Sequence, residues 1–230
     1  NDIVATFGEQ VRGKIRVVGW APTDECRAVP SAESCRQLRD KYRLSDRYLL
    51  AFGNEGNAHK NIGRVLKAYA LAFERRGDEM PPLYLTGISS AGTRAEYGQM
   101  AEALAVGSRV SFLGYVLEAE IAPLLRMAAC LLFVSLDEGF GLPPLDAFSC
   151  ECPVIAANAT SIPEVVGDAA LLVDPTDERQ IADALLRLLD DPGLVNTLVA
   201  RGRARADEFT WQKTAQATGS ILKEVVAGHR

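Results

Sequence analysis

No run among the 230 residues approaches the eighteen or so apolar positions of a membrane span. The opening NDIVATFG has neither the basic start nor the apolar block of a secretory signal. Excess basic charge is also missing. The formal net charge is −5, which argues against nucleic acid as the main partner while leaving room for a local basic pocket. The five cysteines (Cys26, Cys35, Cys130, Cys150 and Cys152) form an odd set without a CxxC pair or a nearby histidine. Such a set argues against a zinc site or a disulfide framework and for reduced thiols in a cytoplasmic protein. Cys130 and Cys150 read as small core residues. No GxGxxG follows an apolar run, so a dinucleotide oxidoreductase is a distant third reading. No GxxxxGK precedes a Ser or Thr, and a P-loop NTPase fails with it.

What is present is apolar and regularly spaced. Hydrophobic residues make up 48% of the chain and the mean hydropathy is +0.02, enough for a sizeable core in one large domain or two small ones. Short apolar runs at 15–18, 48–52, 83–86, 110–113, 130–134, 154–156 and 170–173 read as strands. Amphipathic stretches around 61–76, 93–105, 118–127 and 161–166 separate them. That alternation predicts an α/β fold, a Rossmann-like doubly wound parallel sheet. From Asp177 onward the pattern is a helical tail, broken at Asp191-Pro192-Gly193 and again at Phe209-Thr210. Residues 19–34 read as the mobile loop.

Ligands of open parallel sheets bind at the carboxyl ends of the strands. Polar or glycine-containing loops follow five of the strands, at 53–59, 87–92, 114–116, 135–141 and 157–161, and all should open on one edge. After the apolar run 130–134 comes SLDEGFGLPPLDAF, with Glu138 in a glycine-containing turn and Asp146 eight positions on. Pro143 and Pro144 fall where a helix tolerates proline, in its first turn. Backbone amides of Phe140, Gly141 and Leu142 would face the same space. Two carboxylates around free amides suit a ligand with hydroxyls at both ends and phosphates between, which describes a sugar nucleotide.

Lys60 follows the loop Gly53-Asn-Glu-Gly-Asn-Ala-His59, at the start of a helical pattern. A lysine beside a helix N-terminus works against the dipole by about 0.3–1 kcal/mol. A diphosphate ~4 Å away would return roughly 4 kcal/mol at an effective dielectric near 20. Lys60 is therefore a candidate phosphate-binding cation, and His59 a second donor or a surface residue. Asp190-Asp191 precedes Pro-Gly and reads as a helix stop rather than a metal site; no metal is expected anywhere.

EGFGLPPLD, followed by CPVIAANATSIPEVVGDAALLVDP at 152–175, resembles the donor-binding half of retaining glycosyltransferases of the two-domain B fold. The resemblance is to the large mannosyl-, glucosyl- and rhamnosyltransferase family that carries Glu, seven residues, then Glu. RYLLAFGNEGNAHKNIGRVL at 47–66 is similar to that family's first strand, diphosphate loop (here with Gly53 and Asn54) and helix, and FTWQKTA at 209–215 resembles its last helix. The resemblance implies that Glu138 lies against the transferred sugar and that Asp146, Asp where the family has Glu, takes the ribose hydroxyls. HKN matches a basic-basic-Asn pattern that puts Lys60 on the diphosphate, whereas Asn54-Glu55 stand where the family often has a basic residue. Tyr115 and Val116 match the loop whose backbone meets the nucleobase, and equally suit a core. Ser161, Ile162 and Glu164 resemble an SxPE turn, in which Thr160-Ser161 would cap a short helix.

On this resemblance residues 1–230 are a single nucleotide-sugar-binding domain, the C-terminal half of a transferase, inactive alone. Residues 1–18 look like the seam to an N-terminal acceptor domain absent from this chain. The implied donor is a nucleoside-diphosphate sugar, GDP-mannose favoured, with no cofactor. The implied acceptor is a glycan or another lipid-linked acceptor, met by a cytoplasmic, membrane-associated whole enzyme. The alternative is a sugar-nucleotide binding module or regulatory subunit without catalysis, to which Asn54-Glu55 and Asp146 would be suited.

Overall fold

The computed structural model describes residues 2–54, 56 and 58–228. The chain divides into two units: Pro22–Glu208, and a smaller one formed by the chain ends up to Ala21 and from Phe209. The larger unit holds the expected sheet. Its strands are β1 (Leu49–Phe52), β2 (Leu83–Thr86), β3 (Val110–Gly114), β4 (Cys130–Phe133), β5 (Val154–Ala157) and β6 (Leu171–Val173). All pair in parallel, in the order β3-β2-β1-β4-β5-β6. Strands β2, β4 and β5 are buried along their whole length, which is why they read as unbroken apolar runs.

The two faces of the sheet follow from the period of two along each strand. Leu49, Ala51, Leu83, Leu85, Cys130, Leu132 and Ile155 join one core with Val65, Leu66 and Tyr69 of α4 (Ile62–Arg76) and Ile181, Leu185 and Leu188 of α9 (Glu178–Asp190). The alternate residues Tyr48, Leu50, Leu131, Phe133 and Val154 are equally buried and lie under the other helical layer. There the Tyr48 hydroxyl donates to the Leu124 carbonyl at 2.7 Å.

The other helices of this unit are α2 (Asp24–Arg27), α3 (Ala32–Tyr42), α5 (Ala91–Ala103), α6 (Glu118–Met127), α7 (Leu142–Ser149), α8 (Ile162–Val166) and α10 (Pro192–Asp207). Helix α4 packs on α5 and α9; α6 packs on α3 and α7, and α7 on α10. Their starts are chemically marked. Ser31, Ser90, Asp177 and Asp191 each accept a first-turn amide of α3, α5, α9 and α10 respectively. Asp191 is thus a cap, as the Pro-Gly after it suggests, and Asp190 pairs with Arg76.

Two expectations are corrected. Residues 15–18 are not a strand: they have no regular structure in the smaller unit, and Val17 is 88% exposed. Apolar alternation makes a strand only where a neighbouring strand can pair with it, and none does here among the described residues. Residues 19–34 are not an open loop either. They contain α2, the buried Cys26 and the first residues of α3.

The smaller unit contains α1 (Asp2–Phe7), a 3-10 turn at Glu9–Lys14 and α11 (Trp211–Gly228). Thr210 accepts the Lys213 amide at 3.2 Å as the expected cap of α11. Thr214 ties that helix to the Gly19 carbonyl at 2.8 Å.

Candidate functional site

The sheet order reverses between β1 and β4. Chains leaving those two strands turn to opposite sides, and the crevice between them is where open α/β sheets take their ligands. Lys60 arrives there from the loop after β1 and Glu138 from the loop after β4. Their side chains meet, Lys60 Nζ to Glu138 Oε1 at 2.6 Å, only 15% and 14% exposed. The ammonium also stands 5.2 Å from the centre of the Phe133 ring, which closes β4.

Lys60 ends a 3-10 turn (Ala58–Lys60) rather than opening α4. The residue before α4 is Asn61, in the left-handed region at φ 60°, where asparagine is one of the few tolerated side chains. Asn61 is buried, and its amide donates to the carbonyls of Val134 at 2.9 Å and Pro175 at 2.7 Å. The Leu136 amide donates to the His59 carbonyl at 2.7 Å. These bonds stitch the lysine loop to the glutamate loop and fix the ion pair's separation. His59 itself is half-buried.

Gly53 and Asn54 leave β1 toward the same edge, Gly53 donating to the Thr86 carbonyl at 2.8 Å. Asn54 is exposed; Glu55, the other half of the departure from the basic pattern, lies outside the described residues. After β2, Gly87 has φ +80° and passes so close to Gly53 that a Cβ would run into the Gly53 carbonyl oxygen.

The turn into α7 is built as its sequence suggests. Gly141 precedes the helix at φ 121°, and a Cβ on it would come within 2.9 Å of Ile162 Cδ1. Phe140 and Leu142 flank it, and Pro143 and Pro144 occupy the first turn. Thr160 and Ser161 do something other than capping. Ser161 precedes α8 but its side chain makes no cap bond. Its hydroxyl instead meets the carbonyls of Glu138 at 2.8 Å and Phe140 at 2.9 Å. The Glu138 amide donates to Thr160 Oγ1 at 3.2 Å. A polar pair at a helix start was visible in the sequence; its partners, over twenty residues away, were not.

Asp146, within α7, is 9% exposed and does not join the ion pair. Its Oδ1 accepts the Thr23 amide at 2.8 Å and the Thr23 hydroxyl at 3.2 Å. Burial pushes its carboxyl up, the Thr23 bonds and the Cys26 thiol pull it down, and the net is upward. Cys26 is raised in turn, first by its bond with Cys150 and then by burial, and burial pushes Cys130 up to about 12. These are inert, free thiols. Val116 is buried and Tyr115 is 74% exposed, so of this pair only the valine packs in the core.

Lys60, Glu138 and the loops around them are thus brought together, while Asp146 bonds Thr23 and Tyr115 faces solvent. Thr23 was missed in the sequence, because nothing local links it to a carboxylate 123 positions away. Among the described residues no three His, Cys, Asp or Glu side chains gather as metal ligands would. None of the described helices is long and apolar enough to cross a membrane.

Comparison with known proteins gives the family and the fold. The sequence family described as glycosyl transferases group 1 matches residues 36–205. The O-antigen chain mannosyltransferase B of Escherichia coli is 36% identical over 195 residues, covering 84% of this chain and 50% of that protein. Sucrose-phosphate synthase from Thermosynechococcus elongatus superimposes with a TM-score of 0.75 at 25% identity, over 90% of this chain and 52% of that one. The C-terminal domain of a group 1 glycosyl transferase from Francisella tularensis has the same fold, with a TM-score of 0.68 at 23% identity, covering 81% of this chain and 97% of that domain. The chain spans about half the length of the first of these relatives, or less in longer ones such as a serotype-specific mannosyltransferase of Escherichia coli, where it covers 23%.

Proposed function

The chain belongs to the group 1 glycosyl transferases, and from that premise we propose that it is the donor-binding half of a retaining hexosyltransferase. Its donor is a nucleoside-diphosphate sugar, GDP-mannose before others, and its acceptor a glycan or another lipid-linked acceptor. The observation that carries the reading is the pairing of Lys60 with Glu138 at the point where the sheet order reverses. The mannosyltransferase among its relatives supports the choice of sugar.

In this reading the bond between the sugar's anomeric carbon and the diphosphate breaks, and an acceptor hydroxyl adds on the same face and passes its proton to the departing diphosphate. Charge grows on the leaving diphosphate and on an oxocarbenium-like sugar. Lys60 moves from Glu138 to the diphosphate, joined by amides of Phe140, Gly141 and Leu142 and by His59, with no metal or cofactor called for. Glu138, released from the lysine, faces the sugar. Asp146 takes the ribose hydroxyls with its carboxylate, whose Oδ1 Thr23 holds in place. Gly53 and Asn54 border the diphosphate, and the backbone at Tyr115 and Val116 borders the base.

The acceptor is held by an N-terminal half outside this chain, at the cytoplasmic side of a membrane. The smaller unit suits contact with such a half, since Ile3, Phe7, Leu222 and Val226 expose apolar side chains there.

Calorimetric titration with GDP, UDP, dTDP and NADH tests the donor site. One nucleoside diphosphate should bind selectively, and Lys60→Ala should weaken it at least tenfold, about 1.4 kcal/mol. Binding of none of them, or no effect of the substitution, overturns the reading. Sugar transfer by the isolated chain would overturn its assignment as half an enzyme.

A further inference from the structure

Glu138 lies in a loop between β4 and α7, and a loop carboxylate needs its backbone held if it is to meet one atom of a ligand reproducibly. Two adjacent side chains from another loop supply that hold. The Glu138 amide donates to Thr160 Oγ1 at 3.2 Å, and the Glu138 carbonyl accepts from Ser161 Oγ at 2.8 Å. The same Ser161 hydroxyl meets the Phe140 carbonyl at 2.9 Å, so the loop is folded around one oxygen. Thr160 adopts φ 50°, a left-handed conformation that a β-branched residue takes at a cost. Ser161 stands where its hydroxyl could cap α8 and leaves that bond unmade. Both local preferences are given up, and what is gained is a grip on both sides of Glu138.

We propose that Ser161, seconded by Thr160, is a positioning residue for Glu138, setting its carboxylate against Lys60 before the donor arrives and against the sugar afterwards. The claim deepens the donor-site reading and rests on it. Removing the hydroxyl leaves the core and Lys60 intact while the carboxylate wanders. The loss therefore falls on the sugar rather than on the diphosphate.

Two measurements on the whole chain separate the possibilities. Without ligand, Ser161→Ala and Thr160→Val should each speed amide exchange of residues 138–141 at least tenfold, with β4 unchanged; equal protection in both variants overturns the positioning role. With ligand, Ser161→Ala should weaken GDP-mannose about tenfold and GDP less than twofold, and Ser161→Thr should recover most of the loss. Equal loss of both ligands means a merely structural residue and overturns the proposal. A wild-type chain that binds neither ligand overturns the donor-site reading, and the claim about the sugar with it, whatever the exchange shows.

Discussion

Lys60 Nζ sits 2.6 Å from Glu138 Oε1, although the two residues are 78 positions apart and belong to loops that leave neighbouring strands. With both side chains about 85% covered, the pair was desolvated on folding, and each charge depends on the other to offset that cost. Removing one partner should therefore hurt more than removing both. Lys60→Met and Glu138→Gln are each expected to lower unfolding stability by about 1–3 kcal/mol, and the double variant by less than either single change. Urea unfolding of the four proteins gives the coupling. Simple additivity would mean the pair contributes nothing.

Asn61 connects that lysine to the rest of the fold. Its amide group satisfies two carbonyls, of Val134 and Pro175, in a place that water does not reach. Asn61→Ala would leave both unpaired and trade a residue at home in the left-handed region for one that is not, a loss of about 2–4 kcal/mol. Asn61→Asp should be worse, because a carboxylate would face two carbonyl oxygens. A melting-temperature drop below about 3 °C for the alanine variant would contradict this account.

How far the sequence could be read depended on the range of the interaction involved. Strand β2 was legible to the residue because a strand buried on both faces is an apolar run with polar ends. The strand order was not predicted, but the shared loop edge was, since it follows from every strand being parallel. Helix α3 was hidden by its composition: AESCRQLRDKY has a single buried residue, Leu38, and follows a Pro- and Ser-containing stretch. The ion pair was approached from both ends, Lys60 and Glu138 each being singled out without the other. The grip of Thr160 and Ser161 on Glu138, and of Thr23 on Asp146, had no local signature, because side-chain to backbone bonds across 22 and 123 positions leave no period in a sequence.

Gly87 is required by a close backbone approach as well as by its φ of +80°. Any Cβ there meets the Gly53 carbonyl, which is main chain and cannot rotate away. Gly87→Ala should cost about 2–5 kcal/mol and displace the start of the lysine loop. Gly56 has a similar φ of +70° with open space around it, so Gly56→Ala should cost about 1 kcal/mol. Comparable losses in the two variants, measured by denaturant unfolding, would show that φ alone matters and the contact does not.

Asp146 makes the stability of the protein depend on pH in an unusual direction for an aspartate. Burial raises its carboxyl above the ordinary value of 3.8, with Glu118 adding to the effect and the Thr23 and Cys26 contacts opposing it. The folded state therefore holds the proton to higher pH than the unfolded chain does. Its favourable contribution is complete below pH 3.8 and is lost as pH rises through the folded value. Above that value the fold carries a buried charge whose burial is only partly offset. Asp146→Asn removes the charge and keeps an oxygen for the Thr23 amide. The variant should be at least as stable as the parent at pH 7, and its advantage should shrink as pH falls toward 4. Its affinity for a nucleoside diphosphate should nevertheless drop about tenfold, because a neutral amide accepts ribose hydroxyls less well than a carboxylate. Denaturant unfolding of both proteins at several pH values, with calorimetry at pH 7, checks each part. An advantage that grows toward low pH would mean that Asp146 is held as a stabilised anion, and that Thr23 rather than burial governs it.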